Sequence, residues 1–291
     1  MSKSSLHIRR IAISAVFLAI ALALRLLFTL YIPLFGQNGV RINIFGIFTV
    51  MPALLFGPLY GAIVAGSFDL LGFFLRPSGT FLPFMTMAVT FGGFLRGFLW
   101  IRLRDRSPKS LRLWLSLFAL LLVGFGLYHT HALNADGIDA AFFAGLDPAF
   151  QTDGLAPISR LLVTRALVDP AANPLGLVIL ATTGLITAGA FFLVLLGIDW
   201  ALSRWLQRKG HENTRLLPLL ITLVLSGVVV STLNTIVLRE MLFTAWQLLP
   251  FYAVWLPRII VELITTVTIT YFVAVLMHLL TRQPALRDVI E

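Results

Sequence analysis

Apolar runs recur along the chain from residue 11 almost to the C-terminus, separated by short polar joints. A helix that spans a bilayer needs about 20 mostly apolar residues, and the runs over 11–33 and 81–101 each predict one crossing. Residues 42–76 are long enough for two short crossings, because the joint "FGPLYG" at 56–61 sets Pro58 between glycines and interrupts a helix. Residues 112–128 lead out, 175–203 return, and 215–238 with 254–280 complete the chain. The expected fold is an all-α integral membrane protein, a helical bundle of eight crossings, since lipid cannot satisfy an open sheet edge.

Basic clusters orient this bundle. Lys3, Arg9 and Arg10, then "RLRDRSPKSLR" at 102–112, then "RWLQRKGHENTR" at 204–215 each read as a cytoplasmic segment, so an even number of crossings separates each from the next. Both termini are then cytoplasmic and the expected location is the cell membrane. Trp100, Trp114, Trp200 and Trp205 fall near predicted inner ends, and Trp246 and Trp255 near the outer face, where indoles favour the interface. The leading "MSKSSLHIRR" and its apolar run resemble a secretion signal, but the run is too long, and it reads as a first permanent span.

Composition agrees. With 58% hydrophobic and 12% charged residues over 291 positions, the chain is too apolar for a soluble core. The formal charge of +9 sits mainly between the apolar runs and forms no continuous face of the kind nucleic acid requires. There is no cysteine, which excludes thiolate metal sites and cysteine nucleophiles.

The polar groups left inside the predicted spans carry the candidate chemistry. Arg25 lies in the outer half of the first, Arg41 and Asn43 open the second, Asp69 and Arg76 lie in the third, Asn234 in the seventh, and Arg258 with Glu262 at the start of the eighth. All fall toward one side of the bilayer, where unpaired charges are costly and so mark functional sites. The architectural alternative is that Asp69 neutralises Arg25 or Arg258, or that Arg258 pairs with Glu262 four residues on. Even so, Arg25, Arg41, Arg76, Arg239 and Arg258 outnumber Asp69, Glu240 and Glu262, which would suit an anionic ligand. The neighbouring stretches "TFLPFMT" (80–86) and "STLNT" (231–235) mix rings with small polar groups, a lining suited to a flat heterocycle.

At these residues the chain resembles the substrate-binding S components of energy-coupling factor (ECF) vitamin transporters, closest to the folate-type branch. The likeness rests on "RINIFG", "FGPLYG" and "DLLGFFLRPSG" within 41–97, on "STLNT" at 231–235, and on "LPRII" within 248–264. It implies a six-helix core that takes a vitamin from outside and works with a membrane T component and two ABC-type ATPases. It also implies that Ala15, Ala19 and Ala23, four apart on the first helix, contact the T component; small residues at this spacing let helices approach closely. The core would comprise 1–101 and 215–291, with 102–214 an inserted transmembrane hairpin bearing an outward loop, which matches nothing expected of the family. The chain also departs from the folate-type pattern at "FMT" (84–86), at the single Pro257 and at Glu262.

The expected function is capture of a small anionic, folate-like vitamin or precursor. Arg25, Arg41 and Arg258 would favour its carboxylates, Asn43, Asn234 and Thr86 would bond ring edges, and Phe81 with Phe84 would stack on the ring. Asp69 would hold an arginine in place. No Gly-rich phosphate loop with its lysine occurs, so the chain reads as a transport subunit and not an enzyme, with no cofactor and no metal. The rivals are a stand-alone proton-coupled transporter using Asp69 or Glu262, a membrane enzyme using His129, His131, Asp136 and Asp139, and a scaffold that acts through the inserted helices.

Overall fold

The structure, a computed structural model, describes residues 3–27, 30–34, 37–42, 45–77, 80–168, 174–208, 216–247, 251–281, 283 and 289. It divides into two compact units, Met1–Arg106 with Arg215–Glu291 (unit 1) and Ser107–Thr214 (unit 2). Among the described residues seven helices are long and apolar enough to cross a membrane, and an eighth apolar helix is shorter. The chain is a multi-span helical membrane protein.

Unit 1 begins with α1 (Lys3–Leu27), which starts before the apolar run and stops short of residue 33, where the sequence places the end of the first crossing. Residues beyond it form a hairpin, β1 (Leu30–Leu34) against β2 (Gln37–Ile42), antiparallel with Tyr31 opposite Arg41 and a register shift between Ile32 and Leu34. Tyr31 and Ile32 favour extended backbone, and Pro33 lacks the N–H that a continuing helix would use. The bundle therefore carries one small strand pair that the hydrophobic pattern alone does not announce.

Helices α2 (Gly46–Phe56) and α3 (Pro58–Leu75) are divided where the sequence predicts, at Gly57. Its φ of 99° is open to glycine and strained for other residues, and Pro58 then occupies the first turn of α3, where a missing N–H costs nothing. At eleven residues α2 is about 16 Å long, short of a bilayer's hydrocarbon thickness. Its residues Thr49–Leu55 are all buried, so it is a core helix of the bundle. Val50, Met51, Leu54 and Leu55 pack with Phe17, Trp100, Leu223 and Val273, drawn from four surrounding helices. Those helices are α1, α4 (Pro83–Leu103), α10 (Leu216–Met241) and α12 (Phe251–Thr281). Backbone contact between α3 and α4 requires glycine: a Cβ on Gly61 would meet the carbonyl of Gly93, and one on Gly93 would meet that of Gly61.

Unit 2 contains α5 (Pro108–Ala135), the short α6 (Ala140–Ala144), α7 (Pro157–Val168) and α8 (Pro174–Ile179). A π-helical turn at Leu180–Gly184 leads into α9 (Leu185–Arg208). Helix α5 extends to residue 135, seven residues past the predicted end of its crossing, and places His129 and His131 on a helix. Two residues apart there, they point to different sides. In unit 1 the last short helix is α11 (Thr244–Gln247), in the connection between α10 and α12.

Candidate functional site

The polar residues of unit 1 gather toward the end of the bundle that carries the β-hairpin, in two groups. The first involves α1, α3 and α4. Arg25 is buried in the last turn of α1, its Nη1 donates to the carbonyl oxygen of Phe68 at 3.0 Å, and its guanidinium lies 5.1 Å from the centre of the Phe68 ring. The guanidinium runs against α3 at Gly72, where a side chain would collide with it. Arg76 caps the end of α3 and donates to the carbonyl of Leu26, tying α3 to α1. One residue beyond Phe68, Asp69 accepts a hydrogen bond from Thr86 Oγ1 at 2.8 Å, and the next turn of α4 is fixed by Thr90 donating to the Thr86 carbonyl. Among the described ion pairs none includes Asp69. The described partner of Asp69 is thus a hydroxyl, and not the Arg25 or Arg258 of the architectural alternative.

Between α3 and α4 lies an open hollow of about 570 Å³, lined by Ala62, Phe81, Thr86, Thr90, Phe91 and Phe94 among others. Phe81 also packs on Phe73, with ring centres 5.1 Å apart. The hollow unites two of the candidates, Phe81 and Thr86, but neither Arg25 nor Arg258 lines it. Phe84, four residues before Ala88 on the same helix, is 52% exposed and does not line it either.

The second group lies where α10 packs against α4 and α12. Arg258 Nε donates to Thr235 Oγ1 at 2.9 Å, and Thr235 in turn donates to the Ser231 carbonyl. Trp255 Nε1 donates to Thr232 Oγ1 at 2.8 Å, one turn away. Deeper in, Arg96 Nε donates to Ser226 Oγ at 3.2 Å, and Glu262 lies within electrostatic reach of both Arg96 and Arg258. The Glu262 carboxylate occupies the space that a side chain on Gly227 would need, and it accepts from Thr266 Oγ1 at 3.3 Å. From the helix starts, Arg258 lies about 10 Å in, Glu262 about 16 Å and Arg96 about 20 Å, using a rise of 1.5 Å per residue. The charges thus form a file that runs from the hairpin end toward the middle of the bundle.

Arg96 is the residue that sequence reasoning passes over. It stands five positions inside the predicted end of its crossing, alone in "GGFLRGFLW", and position within the apolar run is the signal that marks it. Asn234 sits among the polar groups of α10, and its Oδ1 is buried and has no hydrogen-bond partner among the described residues. Arg239, counted among the excess positive charges, bonds Glu240 at 2.7 Å and the carbonyls of Trp246 and Gln247. Its role is to hold the connection after α10. For Arg41 the structure describes the backbone in β2, and Asn43 lies outside the described residues. Ala15, Ala19 and Ala23 are exposed together on α1, while Ser14, Phe17, Ala21 and Arg25 are buried on its other side.

Three of the four residues that a membrane enzyme would use in unit 2 have structural partners. His129 Nδ1 donates to the Ala181 carbonyl at 3.1 Å, Asp136 accepts from the Ala156 N–H, and Asp139 caps α6 by accepting from the Phe142 N–H. The Ala181 carbonyl belongs to the π-helical turn, where the widened ladder leaves backbone groups for side chains to satisfy. Among the described residues no three His, Asp or Glu side chains are grouped to hold a metal ion.

No curated protein and no solved structure matches the chain. Residues 9–135 match the model of a protein family, a run that covers α1 to α4 and continues through α5 but stops before α10 and α12. The family is that of the ECF transporter substrate-specific component, and it is this stretch, less than half of the chain, that is similar to it.

Proposed function

We propose that the chain is the S component of an ECF transporter of the folate-type branch, which binds a small anionic, ring-containing vitamin or precursor. The carrying observation is the convergence of Arg96, Ser226, Thr235, Arg258 and Glu262 from three helices at the core of unit 1. Guanidinium groups held at such depth are costly to build and suit recognition of a carboxylate. Arg25 and Arg41 would add to the positive field and Asn43 and Asn234 would meet ring edges. Phe81, Phe84 and Thr86 supply rings and a hydroxyl at the start of α4, and Asp69 orients Thr86.

In this reading the core is six helices, α1 to α4 with α10 and α12, and α5 to α9 are an insertion over 102–214. Helix α10, more than α5, qualifies as the fifth core helix because it packs on both α4 and α12. With α2 as a short crossing the count is eight, both termini are cytoplasmic, and the protein resides in the cell membrane. The exposed Ala15, Ala19 and Ala23 would receive the T component, itself driven by two ABC-type ATPases. The chain has no ATPase motif and would act as a binding subunit, not an enzyme.

Folic acid titrated into the purified protein by calorimetry tests this directly. Binding near one to one is expected, and Arg258→Ala should weaken it about a hundredfold, as loss of a charged hydrogen bond to a ligand does. Absence of binding to folic acid, with no heterocyclic anion found by mass spectrometry of the purified protein, would remove the reading. A second reading, proton-coupled transport by this chain alone, draws on Glu262 in mid-bundle. Uptake by vesicles that contain no partner, abolished by collapse of the proton gradient, would favour it.

A further inference from the structure

The hollow between α3 and α4 has a different chemistry from the charges near it. No charged side chain is among those that line it, and the hydroxyls of its two threonines are spent: Thr86 donates to Asp69 and Thr90 to the Thr86 carbonyl. A polar ligand placed here would lose its water and find no donor in return. The rest of the lining is hydrocarbon and ring, including Ala62 from α3 and Met87, Phe91 and Phe94 from α4. Close by, α3 and α4 meet backbone to backbone at Gly61 and Gly93, and Ala62 is too short to fill the space beside the rings. Met87, Phe91 and Phe94 are exposed, on the flank of a membrane-spanning bundle.

This apolar face continues along α4 toward the basic end of the helix. Met87, Phe91, Phe94, Phe98 and Arg102 recur every three or four residues and so share one side. The Phe94 and Phe98 rings are stacked, with centres 6.4 Å apart and planes 10° from parallel, and Phe98 is exposed as well. Arg102 ends the row. Its guanidinium lies 5.3 Å from the centre of the Phe98 ring, and among the described residues it has no carboxylate partner. The nearest acid in sequence, Asp105, pairs with Arg104 instead. From Arg102 to Phe91 the helix rises about 16 Å at 1.5 Å per residue, close to the depth of one leaflet of hydrocarbon, about 15 Å. An uncompensated cation thus stands one leaflet's depth from an apolar hollow, joined to it by a row of rings.

We propose that this face of unit 1 binds one anionic phospholipid from the leaflet at the basic end of α4, its phosphate on Arg102 and one acyl tail laid over Phe98 and Phe94 into the hollow beside Ala62. Charge complementarity selects the headgroup: Arg102 offers a guanidinium fork, and the exposed Arg104 and Arg106 add to the positive potential around it. The tail fills the space that Ala62 leaves. It stops near Met87, short of Phe81 and Thr86, so this site is separate from the vitamin-binding group proposed above and does not depend on it.

The test uses the purified full chain in detergent, titrated with phosphatidylglycerol or with phosphatidylcholine of the same tails, and counts bound lipid by native mass spectrometry. Melting temperature is the second readout. One phosphatidylglycerol per protein should bind about tenfold more tightly than phosphatidylcholine, whose choline already neutralises its phosphate, and should raise the melting temperature as a ligand of the folded state does. Arg102→Gln should weaken phosphatidylglycerol about tenfold, the loss of a charge-assisted hydrogen bond, and Arg106→Gln about twofold at most. Ala62→Phe, which fills the hollow, should weaken both lipids about tenfold through lost tail burial. A short-tailed phosphatidylglycerol on the wild type should show the same loss and serves in place of Ala62→Phe if that variant does not fold. Equal binding of the two lipids, or equal losses in Arg102→Gln and Arg106→Gln, would leave only the general attraction of a basic helix end and overturn the site. Unchanged affinity in Ala62→Phe, or for the short-tailed lipid, would overturn it too, because the tail would then lie elsewhere.

Discussion

Units 1 and 2 are both built from long apolar helices, but they treat charge in opposite ways. In unit 2 the charged residues of the two long helices are confined to one end of each: Lys109 and Arg112 near the start of α5, Asp199, Arg204 and Arg208 near the end of α9. There Arg112 bonds Asp199 at 2.7 Å and Ser203 at 2.8 Å, and Arg204 covers Trp200 at 4.0 Å. Between these ends the helices meet through Gly126 and Gly189 with apolar side chains around them. Unit 1 instead carries Asp69, Arg96, Arg258 and Glu262 inside its helices and provides a hydroxyl for each, with a glycine gap at Gly227 for Glu262. Simple hairpins in lipid need only packing and satisfied ends. A bundle that keeps guanidinium groups in its interior has accepted a stability cost, which a binding role explains and packing does not.

The largest expected effect comes from removing the one carboxylate that serves two of those arginines. Glu262→Ala would leave Arg96 and Arg258 without their shared counter-charge. By analogy with broken buried pairs it should cost about 3 kcal/mol, reduced from the upper range because the groups are only partly buried. Thermal unfolding in detergent should show this as a drop of roughly 5 to 10 °C, and Glu262→Gln should fall between. A melting temperature unchanged in both variants would mean that the interior of unit 1 tolerates its charges without mutual support, and the contrast with unit 2 would lose its physical basis.

Next in size is Arg112→Ala in unit 2, which strips Asp199 of its partner near the ends of α5 and α9. Both side chains are largely covered, 23% and 11% exposed, so the loss should be about 1 to 2 kcal/mol. The discriminating readout is folic acid affinity, which should be the same as in the wild type. If Arg112→Ala weakened ligand binding as Arg258→Ala does, the two units could not be separated into a binding bundle and an apolar hairpin.

Much of this contrast is legible in the sequence, because hydropathy and basic clusters are properties of the chain and need no tertiary contacts. The break at Gly57 and Pro58 follows from local backbone chemistry, and the apolar runs locate α4, α10 and α12 to within three residues, though the ends of α1 and α5 differ by up to eight. The partners of the polar groups are another matter. Asp69 finds Thr86, seventeen residues on, and Arg25 finds the carbonyl of Phe68 through a gap left by Gly72. Neither contact has a period or spacing to reveal it. The hairpin is hidden for a related reason: its first strand, LYIPL, is as apolar as the helix before it and reads as more of the same run. Trp246 reads as an interfacial indole in sequence, and only its enclosure by α4, α10 and α12 shows it to be a wedge.

The smallest expected effect probes the outer face of unit 2, at Gly124 in the middle of α5. Among the described residues a Cβ there would meet nothing within 4 Å, whereas two residues on a Cβ on Gly126 would meet Ile186 Cγ1 at 2.6 Å and the Thr182 carbonyl at 2.9 Å. Gly124→Ala should therefore gain the helix preference of alanine, about 0.5 to 1 kcal/mol in water and no more than that in lipid, and raise the melting temperature by 1 to 3 °C. Gly126→Ala should lower it, because backbone cannot move aside as a flexible side chain can. The two variants form a ruler for what surrounds α5. A rise for Gly124→Ala in the isolated protein, turning into a fall when the protein is measured in its native membrane, would place another helix against that face. The smooth apolar exterior of unit 2 would then be a surface for association, and the difference between the two units would be one between binding a small molecule and binding a protein.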